Sequence, residues 1–222
     1  ELFMERIKSS KYPWAAINVT KADGSAIDGL GGVVMKEIAG VKLALIPVAQ
    51  DTTPQVSSSG DLKFGPTADT AIEAAKQARK DGAEIVVGVV QAPRSADMKM
   101  FNSKAFDVIL SGDDHELVVQ YNGVTAHVDT STDANYLVPI DLMVNVEEKD
   151  GKRTVKWEPN FRFIDTASVT PDPETMAMVE GYQKQLDNEL NVVIGKTANG
   201  LDSRRKVVRT QEAAIGNLIA DA

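Results

Sequence analysis

The chain has no cysteine, which removes disulfide bridges, thiolate metal sites and cysteine nucleophiles together. It has no apolar run near the roughly 18 residues that cross a bilayer, so no membrane span is expected. The opening Glu1-Leu2-Phe3-Met4-Glu5-Arg6-Ile7-Lys8 lacks the basic-then-apolar order of a signal peptide. Leu2, Phe3 and Ile7 fall instead at helical spacing with no capping residue before them, so the chain reads as if it begins inside a domain. A basic run with interleaved aromatics is also missing, and a net charge of −8 with pI near 4.9 argues against a nucleic-acid binder. The densest basic cluster, Arg204-Arg205-Lys206, is short enough to be a solvated turn.

What is present is an α/β grammar. At 222 residues the chain is long for one compact domain and short for two. Residues 1–165 alternate helix and strand signals. Trp14 to Val19 and Val41 to Val48 read as strands, and residues 55–65, rich in serine and glycine, read as loop. Ala68, Ala71, Ile72, Ala75 and Ala78 mark one face of a helix that stops at Asp81-Gly82. Two continuous apolar runs follow, Glu84 to Val90 and Val108 to Leu110, as expected of strands covered on both faces.

From residue 117 the pattern changes to strands joined by tight turns. Asn122-Gly123 between Val118–Tyr121 and Val124–Val128 suggests a type I′ hairpin. Ile140, Leu142, Val144 and Val146, then Asp150-Gly151, then Val155, Trp157, Phe161 and Phe163, describe a half-buried antiparallel pair. Asp172 and Pro173 can start a helix whose apolar stripe runs through Met176, Val179, Tyr182, Leu186, Leu190 and Val193. The expected division is therefore a domain over 1–165, a linker helix over 166–194, and the start of a further domain over 195–222. The helical pattern from Glu212 to Ala222 is cut off in full periodicity, so the far end also reads as truncated.

Chemistry is concentrated at two strand tips. Val108-Ile109-Leu110 ends in Ser111-Gly112-Asp113-Asp114-His115-Glu116, and the preceding strand ends at Gln91. Ligands bind at the carboxyl ends of strands in open α/β sheets, so Gln91, Asp113 and His115 could converge if these strands are neighbours. Carboxylate and imidazole donors suit zinc, manganese or iron. His127 lies in a strand pattern and reads as structural, while Asp51 and Asp97 read as loop or helix-start acids without a role.

The order of strand, polar tip, helix, strand, S-G-D-D-H-E and hairpin resembles the latter half of the calcineurin-like metallophosphoesterase domain, in the 5′-nucleotidase and UDP-sugar hydrolase family. There the first tip usually carries histidine and the second reads Gly-His-x-His. This chain has Gln91 and Asp113 at the first two positions and keeps His115 at the third. Arg209-Thr210-Gln211-Glu212-Ala213-Ala214-Ile215-Gly216-Asn217-Leu218-Ile219-Ala220-Asp221-Ala222 resembles R-x-x-E-x-x-x-G-N-L-I-x-D-A, which opens the family's C-terminal nucleotidase domain. Tyr12-Pro13-Trp14 running into Ile17-Asn18-Val19 resembles the stretch after the family's Gly-Asn-His-Glu motif.

The resemblance implies the latter part of a four-layer αββα fold, a mixed β-sheet sandwich flanked by helices, followed by a linker helix. It implies an internal fragment, with the Asp-x-His motif, a bridging aspartate and Gly-Asn-His-Glu lying before residue 1. It further implies two divalent metal ions (manganese, magnesium or zinc) in the intact protein, with Gln91, Asp113 and His115 as metal ligands here. In the fragment alone the site is expected to be unfinished, with or without metal. The resemblance places Arg209 near a nucleotide or small phosphoester substrate, although pairing of Arg209 with Glu212 is an equal expectation. Export to the periplasm or secretion is implied as well. Two readings stay open: a metal-dependent phosphohydrolase that is inactive as this fragment, and a binding module that kept the fold and lost ligands. No side chain of the fragment is assigned as catalytic.

Overall fold

Continuous β-branched runs become central strands because both of their faces find cover. The computed structural model describes residues 2–193 and 195–221. The expected positions Glu1, Ile194 and Ala222 lie outside the described residues. The first unit, through Val169, starts with α1 (Leu2–Ser9) and the short strands β1 (Trp14–Ala15), β2 (Val19–Thr20) and β3 (Leu30–Gly31). It continues through β4 (Val34–Ile38), β5 (Val41–Val48), α2 (Thr53–Val56), β6 (Lys63–Phe64) and α3 (Thr67–Lys80). Then come β7 (Ile85–Gln91), α4 (Arg94–Ser103), β8 (Val108–Gly112), β9 (Leu117–Tyr121) and β10 (Ala126–Thr130). The unit closes with β11 (Tyr136–Leu137), β12 (Ile140–Lys149), β13 (Lys152–Phe161) and β14 (Ile164–Asp165).

The main sheet has six strands in the order β4-β5-β7-β8-β10-β9. β5, β7, β8 and β10 run parallel, and the edges β4 and β9 are antiparallel to their neighbours. One face packs Ala44, Ile46, Val86, Val90 and Ile109 against Ala71, Ala75 and Ala78 of α3 and Met100 and Phe101 of α4. The other packs Val41, Ile85, Val87, Val108 and Ala126 under Ile140, Leu142, Val155, Trp157 and Phe161 of the β12–β13 hairpin. This is the expected mixed α/β sandwich, with helices on one side of the sheet and a hairpin on the other.

Several local expectations change. The strand expected over Trp14 to Val19 is split: β1 pairs with β3 and β2 pairs with β6. The cause is Asn18, which is 4% exposed and whose amide donates to Ala49 O (2.7 Å) and Gly65 O (3.0 Å) while accepting from Ala49 N (2.9 Å). The backbone changes partner at the same place, with Ala16 N donating to Gly31 O (3.0 Å), Ile17 N to Pro47 O (2.9 Å) and Gly65 N to Asn18 O (2.7 Å). The stretch expected as loop over 55–65 holds the end of α2 and the whole of β6.

The Asn122-Gly123 connection is not type I′. Gly123 has φ +85 while Asn122 is not in the left-handed region, and Asn122 Oδ1 instead accepts from Val124 N (3.0 Å) and Thr125 N (2.8 Å). The two-residue turn at Asp150 (φ +53) and Gly151 (φ +73) does meet the type I′ requirement. Phe163 is 58% exposed, and Val144 and Val146 are also exposed, so the hairpin's apolar row is wetter than expected at those positions.

The second unit, Thr170 onward, holds α5 (Pro173–Leu190), α6 (Arg205–Val208) and α7 (Ala214–Asp221). Asp172 Oδ1 accepts from Thr175 N at 2.8 Å with Pro173 at the first position, as the capping pattern predicts. α5 ends at Leu190, short of the expected 193.

Candidate functional site

Parallel pairing sets the site. Val48 of β5 registers with Val90 of β7, and Gln91 of β7 registers with Gly112 of β8, so three strands end along one edge of the sheet. Gln50, Gln91 and Asp113 follow at those ends. Gln91 Nε2 donates to Asp113 Oδ1 at 2.7 Å, and Gln50 Nε2 donates to Asp113 Oδ2 at 3.1 Å. The convergence of Gln91 with Asp113 was legible from strand order; Gln50 was not assigned. The signal available for Gln50 was its place just beyond an apolar strand, which it shares with Gln91.

After Gly112 the backbone turns sharply, with positive φ at Asp113 (+121) and His115 (+58). Non-glycine residues in this region carry roughly 1–3 kcal/mol of strain each. His115 is exposed on this loop. Glu116 Oε2 accepts from Arg94 Nη1 at 2.6 Å, tying the loop to the start of α4. Burial holds the Asp114 carboxyl above its ordinary range, with Asp113, Asp97 and Glu116 adding to the effect and the Arg94 backbone N–H opposing it. Among the described residues, no three His, Cys, Asp or Glu side chains cluster closely enough to hold a metal ion.

A buried polar layer lies behind the tip, between β8, β10 and α4. Ser111 Oγ lies 2.8 and 2.7 Å from the two oxygens of Asp97, which is 1% exposed. His127, 2% exposed, meets the Gln120 amide at Nδ1 (2.8 Å) and has Nε2 at 3.5 Å from Asp97 Oδ2, with no hydrogen-bond partner for Nε2. Asp129 is 3% exposed, and burial raises its carboxyl above the ordinary value, as does Asp97, while His127 works the other way. His127 is thus enclosed, as expected of a structural histidine. Asp97, given no role from sequence, anchors Ser111 two residues before Asp113. Asp51, likewise unassigned, serves α3: its Oδ2 accepts from Thr67 N (3.2 Å) and its backbone N–H donates to Thr67 Oγ1 (2.9 Å).

Arg209 is exposed just after α6 in the second unit. Glu212, expected as its alternative partner, accepts from Asn217 Nδ2 at 2.9 Å.

Solved structures of a 5′-nucleotidase precursor and of a calcineurin-like phosphoesterase share this fold. No family model matches the chain. A 5′-nucleotidase-related protein of Glossina morsitans morsitans is 22% identical over 203 residues, covering 81% of this chain and 36% of that protein. The trifunctional nucleotide phosphoesterase protein YfkN of Bacillus subtilis is 24% identical over 201 residues, covering 87% of this chain and 14% of that protein. The crystal structure of calcineurin-like phosphoesterase YfkN matches with TM-score 0.60 at 20% identity, over 82% of this chain and 65% of that one. A 5′-nucleotidase precursor from Thermus thermophilus matches with TM-score 0.69 at 16% identity, over 98% of this chain and 46% of that one. These neighbours are 5′-nucleotidases and calcineurin-like phosphoesterases, in agreement with the resemblance read from the strand tips and the terminal motif. The chain spans little more than a third, or less, of the curated relatives cited.

Proposed function

We propose that the intact protein is a phosphoester hydrolase acting on nucleotides or related small phosphoesters, and that this chain supplies one side of its site. The observation that carries this reading is the similarity to a 5′-nucleotidase-related protein and a nucleotide phosphoesterase, on a fold shared with a solved 5′-nucleotidase and with a strand order that lines up polar side chains at the carboxyl ends of β5, β7 and β8. Arg209 is the proposed contact for a phosphate oxygen, since guanidinium offers paired donors to that geometry. Export to the periplasm or beyond the cell is part of the same proposal, and one structural neighbour is named as a precursor. No nucleic-acid partner is proposed.

The two divalent cations implied by the resemblance fit this chain's residues poorly. Of the three ligands expected here, His115 is an exposed imidazole, Gln91 presents N–H, and Asp113 has both oxygens engaged by amides. The fragment is therefore expected to lack phosphatase activity by itself. Phosphate release from a nucleotide by purified 1–222, dependent on added manganese or zinc and abolished by EDTA, would contradict that.

A second reading is favoured by the same amide contacts: a binding module that kept the fold without its metal chemistry. Nucleotide turnover by the intact protein separates the two. Hydrolysis that is lost when Arg209 becomes alanine supports the enzyme; nucleotide binding without turnover supports the module.

A further inference from the structure

A carboxylate ligates a cation through oxygen lone pairs, and an amide N–H ligates nothing. At the tip of the sheet the Asp113 oxygens point into N–H groups, Oδ1 toward Gln91 at 2.7 Å and Oδ2 toward Gln50 at 3.1 Å. Paired imidazoles at positions 91 and 113, the arrangement that the resemblance describes, would turn two lone pairs toward a common point. They would need a cation or protons there. A glutamine and an aspartate satisfy each other directly, with donor matched to acceptor. Gln50 then fills the second oxygen from a third strand, so the carboxylate's negative charge is met by two dipoles.

We infer that Gln50, Asp113 and Gln91 form a metal-independent clamp that ties together the ends of β5, β7 and β8 at the position where a divalent cation would otherwise do so. Gln50 is the part of this clamp that no motif marks. His115, exposed on a backbone of φ +58, takes part in neither of the two hydrogen bonds that make it. The inference builds on the second reading of the function, yet the two can fail separately.

The test uses the full 222-residue chain, dialysed against EDTA, with manganese or zinc chloride added back. Thermal unfolding and bound metal are measured for the wild type and for Asp113→Ala and Gln50→Ala. The clamp predicts a wild-type midpoint that EDTA and added metal leave unchanged within about 1 °C. It predicts that each variant lowers the midpoint by the same amount with and without metal. A cation site would instead raise the wild-type midpoint by roughly 5–10 °C at a hundredfold excess over its dissociation constant. Stoichiometric metal uptake that Asp113→Ala abolishes overturns the clamp, whatever the variants' own stability. Uptake that Asp113→Ala leaves intact lies elsewhere and leaves the clamp standing. Turnover of nucleotide by the intact protein, with a metal-indifferent wild-type chain, would remove the second reading and keep the clamp.

Discussion

Single carboxylates do different work here according to what surrounds them. Asp107, 7% exposed, accepts from Trp157 Nε1 (2.8 Å), Val86 N (2.6 Å) and the Arg79 guanidinium, so it joins the hairpin, the sheet and α3. Asp107→Ala leaves those donors without a partner and is expected to cost about 3 kcal/mol in urea unfolding. Asp129 has the opposite balance. Its folded carboxyl is held above the unfolded value, chiefly by burial, so the native state binds its proton more tightly than the unfolded chain does. Its penalty on stability is fully present above the folded value and relaxes as pH falls toward the unfolded one. Asp129→Asn is therefore expected to raise the thermal midpoint at pH 7, with the gain over wild type shrinking in an acidic pH series as the folded carboxyl takes up its proton. At this scale the sequence reading reached Gln91 and Asp113 because they end recognisable apolar runs. It missed Asp129 because a polar residue alternating with Ala126 and Val128 looks solvated until α4 is known to cover that face, and Asp97 because an acid in the first turn of a helix reads as a solvated dipole partner.

Elements were more legible than their joints. The continuous runs of β7 and β8 and the alanine face of α3 follow directly from periodicity, since burial on two faces or on one stripe leaves a visible pattern. Turns depend on backbone angles that composition only suggests. Asp150-Gly151 adopts the left-handed pair and Asn122-Gly123 does not, because the Asn122 carboxamide engages the two following N–H groups instead. Gly151→Ala forces a side chain into φ +73 and is expected to destabilise by roughly 1–2 kcal/mol, measured by thermal or denaturant unfolding. The break at Asn18 was hidden for a related reason: its three contacts reach Ala49 and Gly65, positions far away along the chain.

Across the whole molecule, the fold class was legible because helix–strand alternation followed by hairpins admits few arrangements. The chain divides at Val169–Thr170, just beyond a short 3₁₀ turn at Thr166–Ser168 and within the stretch from Thr166 to Pro171 where the sequence pattern changes. The candidate site was legible only as far as its strand tips. Its third strand became visible through the β5–β7 pairing, which depends on contacts that no local pattern reports.

Strand order also carries a consequence for the time course of folding. β8 and β9 are consecutive in the chain, yet β10 lies between them in the sheet. The loop bearing Asp113 and His115 therefore joins two strands that do not touch, and its far end has no hydrogen-bonded neighbour until β10 has inserted. Contacts that wait on later segments close slowly. In pulse-labelled hydrogen exchange, amides of β5 and β7 are expected to gain protection before those of β9, and a chain stopped before residue 126 should leave this loop unprotected. The polar tip is then the last part of the sheet to acquire its shape during synthesis.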